Sequence, residues 1–530
     1  MPALARSGAV RNGSSVDEGC QTVDLYVRGE LPASVAGSLL VAMSRRHKRR
    51  TSFFRWQDSQ ADLLRLDVIP GKPSRVVAHL RAADSTGEDV GEGFAANEFD
   101  RASRRRLPAY GYATQPNHGL NVAAGKVWTT NLLFGAPLQL DIETWRPERI
   151  LRYVQPDTAA PRVSTTSHFA WSKDGRYAYF HQSLLTLESE TEPVRSRDLK
   201  LVRLDVHTGA ERVWDLVAPP DDPRSEAWNF HSAFYWEEEG RKFVGLLRTG
   251  AVVQHLAPHD ELTEHVIRRM PVSAIWVVEL DDFGHALQAS LLPGLEHVDG
   301  LALSHLDIDT TQPDGFILYA NYKEAAVGEE THGFNVYGED SSRVAEHYSG
   351  MIVEPLNYGK VIRYERRPGR HDVKVFEQSY DFGRSSVGHT WLPINIELDS
   401  SRRWLYCTFN GFHPRLLPRH IASAYEDRVA RNLDEIRLIP SAMIRFDAES
   451  LQPDYDRQRT YISYGEPVAM AVVGDRDSGY VCTFSPEEGL KVYRAGDFTQ
   501  LVCHAISHEL LHWEDTHFRP DPAHMVFVPC

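Results

Sequence analysis

Twenty-four histidines occur in 530 residues, and neutral imidazole is the commonest protein ligand for transition metals. Two of their arrangements could do metal chemistry. Near the end of the chain, SHELLHWEDTHFRPDPAHMVFVP (507–529) contains His508, Glu509 and His512, which spell H-E-x-x-H. On a helix that spacing sets two imidazoles on one face for zinc, with the glutamate as base. A third ligand must follow, yet WEDT supplies no glycine before His517 and only 18 residues come after His512. The second arrangement is long-range. His168 (TSHFAW), His231 (NFHSAF) and His305 (LSHLDID) are followed by His389 (GHTWLPIN), Glu466 (YGEP) and His524 (AHMVFVP), at steps of 63, 74, 84, 77 and 58. One such residue per structural repeat is what a metal held on a common axis would need. Neutral imidazoles suit iron, copper or zinc, and a set with open positions leaves room for O2 or substrate.

The elements that would position these histidines are strands. Seven segments share alternating apolar residues, usually followed by an acid and then a glycine: DLLRLDVIPG (62–71), PLQLDIETW (137–145), KLVRLDVHTG (200–209), IWVVELDDFG (275–284), KVIRYERRPG (360–369), AMIRFDAESL (442–451) and GLKVYRAGDF (489–498). Period-two alternation closed by turn residues reads as a strand entering a hairpin. The acids Asp67, Asp141, Asp205, Asp281, Glu365 and Asp447 recur at this point, and Arg494 replaces the seventh. A second family lies between them: 125–132, 175–182, 241–247, 315–321, 402–409 and 478–485. Several of its members are apolar nearly throughout, as inner strands buried on both faces would be. One four-stranded sheet per repeat, seven times over, describes an all-β, seven-bladed β-propeller; a pair of β-sandwiches is the other reading. IASAYEDRVARNL (421–433) is the best helical candidate and would sit on a loop. Residues 321–351 and 411–425 read as a lid and a cap segment over one face. Residues 1–20 read as a disordered tail, and 21–530 as a single domain.

The charge of −15, from 58 basic and 73 acidic residues, disfavours nucleic acid and anionic membranes as main partners. Cys20, Cys407, Cys482, Cys503 and Cys530 form an odd, scattered set without a CxxC pair, which suits a reduced cytosol. The first residues contain no apolar signal core, and no apolar run reaches the ~18 residues of a membrane span. A soluble, cytoplasmic protein is the expectation, with peripheral membrane contact left open.

Motifs along almost the whole chain resemble those of the carotenoid cleavage oxygenases, the family that includes stilbene-cleaving dioxygenases and the retinoid isomerase of the eye. VRGELPASVAGSLL (27–40) is similar to the family's opening. SFFRWQDSQADLLRLDV (52–68), LLFGAPLQLDIETW (132–145), TTSHFAW, NFHSAF and YGEPVAMAVVGDRDSGYVCTF (464–484) follow in the family's order, and His524 closes the chain. The resemblance implies a seven-bladed propeller with Fe(II) on its axis, held by His168, His231, His305 and His524. It also implies O2 as co-substrate and oxidative cleavage of a conjugated carbon–carbon double bond in an apolar or aromatic alkene such as an apocarotenoid or stilbenoid. Relatives back three of the four imidazoles with glutamates. Glu466 matches one of these positions, whereas Leu133 and Trp391 occupy the other two. A carboxylate behind an imidazole fixes its tautomer and raises its basicity, and losing one costs about 10–100-fold in affinity or activity. Asp307 and Glu354 are candidate substitutes. His389 reads as a structural histidine, with lining of the substrate cavity as the other reading. Three alternatives stay open: a different iron-dependent oxidation or isomerisation, a non-catalytic binding propeller, and a hydrolase built on a divalent ion.

Overall fold

The computed structural model describes residues 20–47, 61–82, 119–130, 135–144, 146–157, 162–185, 196–222, 230–248, 251–255, 265–269, 274–295, 301–312, 314–324, 359–378, 392–410, 441–454, 460–463, 469–485, 489–504 and 518–530. These residues are almost wholly strands, with one short 3-10 turn at Ala33–Val35. No helix among them is long and apolar enough to cross a membrane.

The strands form a propeller-like arrangement of sheets. Four sheets are antiparallel meanders of four strands, beginning with Gly119–Ala123, Leu301–Asp309, Leu392–Leu398 and Ala469–Val473. A fifth runs Cys20–Tyr26, Arg75–Ala82, Ala61–Ile69, Gly37–His47, Phe518–Pro529. Here the last strand of the chain pairs antiparallel with one of the first, from Gly37↔Pro529 to His47↔Phe518. Such pairing closes the ring and removes a free sheet edge.

The separate blade-like units thus number five rather than the expected seven. The difference comes from one nine-stranded sheet between Arg162 and Leu291, in which Glu211–Val217 lies parallel to Ala286–Leu291, with Asp215↔Ala286, Leu216↔Leu287 and Val217↔Gln288 paired. A two-stranded hairpin, Ala251–His255 with His265–Arg269, completes the set.

All seven repeat segments, the six with the acid and the seventh with Arg494, are the third strand from the axis in their groups: Ala61–Ile69, Leu138–Asp141, Ser196–Asp205, Ala274–Glu279, Gly359–Arg367, Ser441–Asp447 and Gly489–Arg494. At four of the six positions the acid turns the chain, whereas Asp67 and Glu365 pair with neighbouring basic side chains. Asp141 Oδ1 accepts from Thr144 N, Asp205 Oδ1 from His207 N and Thr208 N, Asp281 Oδ1 from Phe283 N, and Asp447 Oδ1 from Ser450 N. This side-chain mimicry of a backbone turn explains why an acid recurs there. The Thr208 amide is the chief reason that the Asp205 carboxyl is held down to about 2. Gly209, at φ +71, completes that turn, and its N–H donates to Asp205 O at 2.8 Å.

The second strand family needs a correction. Lys126–Thr130, Tyr177–Leu185, Arg241–Arg248, Phe316–Glu324, Trp404–Asn410 and Tyr480–Ser485 are second from the axis, not innermost. Their apolar character has the expected cause, since both faces pack on neighbouring sheets. Phe180 joins Trp128 and Phe169 on one side of its strand, while Tyr179 stacks on Tyr235 at 5.5 Å on the other. Apolar clusters of this kind join each group of strands to the next, including last to first, where Phe484 and Val492 meet Leu39 and Leu64. Burying one such large side chain contributes about 1.5–3 kcal/mol.

Asn321–Glu324, read as the start of a lid, extend a strand. The rest of that stretch, the 411–425 cap, the 421–433 helix and all but Cys20 of the N-terminal tail lie outside the described residues.

Candidate metal centre

The four histidines lie on or beside innermost strands of their groups: His231 on Phe230–Glu238, His305 on Leu301–Asp309, His524 on Phe518–Pro529, and His168 just before Ala170–Trp171. The innermost strands come together around the axis: Phe518–Pro529 meets Gly119–Ala123 and Ala469–Val473, while Ala170–Trp171, Phe230–Glu238, Leu301–Asp309 and Leu392–Leu398 meet in turn. Their outer edges belong to a ladder, so their inner edges must find partners across the seams. Asp307 and Glu397 act there: Asp307 Oδ2 accepts from Leu398 N at 2.7 Å, and Glu397 Oε2 from Val472 N at 3.0 Å.

The histidines sit at irregularities in these strands. His231 falls where the pairing skips from Phe230↔Arg248 to Ser232↔Leu247, so it is the extra residue of a bulge. His305 lies in the shift between Leu303 and Leu306, and a shift at Ala42/Met43 adjoins His524. His168 precedes a strand of only two residues and is held by a single parallel bridge to Ser232. A bulge leaves a residue out of the ladder and re-aims its side chain, which turns these imidazoles toward one another.

The result is a compact group. One ligand nitrogen from each of His168, His231, His305 and His524 lies within 4.8 Å of the others. Ring centroids stand 4.4 Å apart for His168–His524 and His305–His524, 5.0 Å for His168–His231, and 4.8 Å for His231–His305. Nitrogens sharing one ion at ~2.1 Å lie about 3–4 Å apart, so small side-chain motions suffice to bind it. His231 and His305 are 2% and 8% exposed. Burial holds the His168 imidazole down to about 4, and burial reinforced by His168 and His305 holds His524 well below its ordinary value. The lone pairs of His168 and His524 are therefore available at neutral pH. Four imidazole nitrogens fit a first-row transition metal and do not fit calcium or magnesium, which require oxygen ligands.

His181 is a fully buried imidazole outside this group, its ring edge-on to Phe230 at 4.6 Å, and neither ring nitrogen has a hydrogen-bond partner among the described residues. Asp307 does not support a ligand: it accepts from Leu398 N and Ile308 N, and Arg402 Nη1 stands 3.9 Å from its other oxygen. Glu466, Leu133, Trp391, His389, Glu354 and the whole of 508–512 lie outside the described residues.

No family model and no curated protein matches the chain by sequence. Solved structures do match in fold. A variant of the apocarotenoid oxygenase of Synechocystis superposes with a TM-score of 0.55 at 12% identity, covering 96% of this chain and 96% of that one. The lignostilbene dioxygenase of Pseudomonas brassicacearum gives a TM-score of 0.56, also at 12% identity, covering 98% of this chain and 96% of that one. At such identity the likeness establishes a shared fold.

Proposed function

We propose that this chain is a non-heme Fe(II)-dependent, dioxygenase-like enzyme that cleaves a conjugated carbon–carbon double bond in an apocarotenoid- or stilbenoid-like substrate, with O2 as co-substrate. The observation that carries the reading is the convergence of His168, His231, His305 and His524 from four separate stretches of chain on one point. Fold likeness to an apocarotenoid oxygenase and a lignostilbene dioxygenase supports the substrate class. On this reading 21–530 form one domain. The nine-stranded sheet is two four-stranded blades joined at their outer strands, the inner strand of one being split into Arg162–Thr165 and Ala170–Trp171; this brings the blades to seven, and Glu466 backs one of the imidazoles. The protein works in the cytoplasm on a small apolar or aromatic alkene.

The chain's own part is geometric. Its four imidazoles would hold the ion, and the surrounding burial keeps bulk water away from the reacting bond. Iron held there would supply the activation of O2 that splits the alkene into two carbonyl products. The test is anaerobic reconstitution with Fe(II), then O2 uptake and mass spectrometry of products with a stilbene and an apocarotenal. Two aldehyde fragments with matched O2 consumption support the reading. A rearranged, uncleaved product favours an iron-dependent isomerisation instead. Substrate binding that is unchanged in His168→Ala and His524→Ala favours a non-catalytic propeller.

A further inference from the structure

His168 lies in the break between the strands Arg162–Thr165 and Ala170–Trp171, joined to Phe230–Glu238 by a single bridge, and a side chain also holds the backbone around it. Asn121, on the strand Gly119–Ala123 and 4% exposed, does this from the adjacent sheet. Its Nδ2 donates to Ser167 O at 2.9 Å, and its Oδ1 accepts from Phe169 N at 2.7 Å. One amide therefore grips the polar groups on both sides of His168. Thr130 Oγ1 gives Ser167 O a second donor at 3.1 Å. On the other side, Ser167 N and His168 N donate to His231 O at 3.0 and 3.1 Å, and Ala233 N donates to His168 O at 2.8 Å. Gly119 permits the approach, because a Cβ there would stand 2.1 Å from Ser167 O and 2.2 Å from Thr130 Oγ1.

We propose that Asn121 is a positioning residue that sets the direction of the His168 ring toward His231, His305 and His524; this rests on reading those four as metal ligands. The amide is the group that fits, since it donates and accepts at once. Aspartate keeps only the acceptor and leucine keeps neither. An imidazole turned away by a fraction of an ångström from a shared ion binds it less tightly, and lost outer support of this kind typically costs about 10–100-fold in affinity.

The test is titration of the metal-free full chain with Co2+, which reports both affinity and ligand geometry through its visible spectrum. Asn121→Leu is expected to bind about 10–100-fold more weakly with a shifted band, and Asn121→Asp to fall between it and wild type. Asn395→Leu is the control: Asn395 is also a buried amide, 6% exposed, but its Nδ2 donates to Thr408 Oγ1 within its own sheet. Melting temperatures taken alongside separate general loss of stability from loss of the site. Should Asn121→Leu misfold, Asn121→Asp decides the matter. The proposal is overturned if the folded Asn121 variants bind Co2+ with wild-type affinity and spectrum, or if Asn395→Leu weakens binding to the same degree. A wild-type chain that takes up no Co2+ contradicts the metal-site reading itself, and this proposal with it.

Discussion

His168 and His524 stand 4.4 Å apart, ring centroid to ring centroid, with their planes 77° from each other. One comes from the first third of the chain and the other from its last strand. That strand is added to the sheet of Gly37–His47, so the step that closes the ring also delivers the fourth imidazole. Closure and the candidate site are therefore one event, and loss of the C-terminal strand would remove both.

The buried pair Arg248–Asp222 makes a stability prediction. Both side chains are 3% exposed, and Trp276 Nε1 also donates to Asp222, at 2.9 Å. Asp222→Ala leaves a guanidinium and an indole N–H without this acceptor. Breaking such a pair typically costs about 3–5 kcal/mol. Urea denaturation should show that loss, while substitution of the exposed Asp157, paired with Arg197 at the surface, should cost less than ~1 kcal/mol.

Glu397 sets a pH dependence. Burial first, and Asp307 second, push its carboxyl from 4.5 up to about 8. Because the folded value lies above the unfolded one, ionisation works against the fold. The penalty is absent below the unfolded value, grows as pH rises, and is complete above the folded value. Glu397→Gln should therefore leave stability little changed at pH ~4 and raise it by on the order of 1 kcal/mol at pH ~8, after discounting for partial solvent contact. Melting curves of the metal-free pair across that range check it. A gain that shrinks toward alkaline pH contradicts this account.

The low value at His168 predicts an insensitive metal site. Protons compete with the ion for imidazole lone pairs, and with His168 held to about 4 from an ordinary 6.5 that competition sets in late. Co2+ affinity should be nearly flat between pH ~8 and ~6 and decline below pH ~5. Equilibrium titrations in buffers of matched ionic strength measure it. A steady decline starting near pH 7 would mean that His168 is hydrated and outside the site.

Much of the repeat was readable in the residues. The acids at 141, 205, 281 and 447 recur because each closes a turn with its own carboxylate, a local effect that leaves a local mark. The histidine spacing was readable because corresponding positions of successive strand groups converge. The irregularities at His231 and His305 were not, since a bulge is a property of register between two strands, and composition carries no record of it. The parallel contact of Asp215–Val217 with Ala286–Gln288 escaped for a similar reason: it joins outer strands that meet only after both groups have folded. Asn121 had a faint signal, a buried amide in the otherwise apolar GLNVA. Only the position of Ser167 and Phe169 gives it a role.

The most direct measurement is elemental analysis of anaerobically purified protein, with wild type beside His524→Ala and His508→Ala. Near-stoichiometric iron in wild type and His508→Ala, lost in His524→Ala, is the predicted result. Zinc that disappears on changing His508 and persists on changing His524 would contradict it and move the chemistry to HELLH.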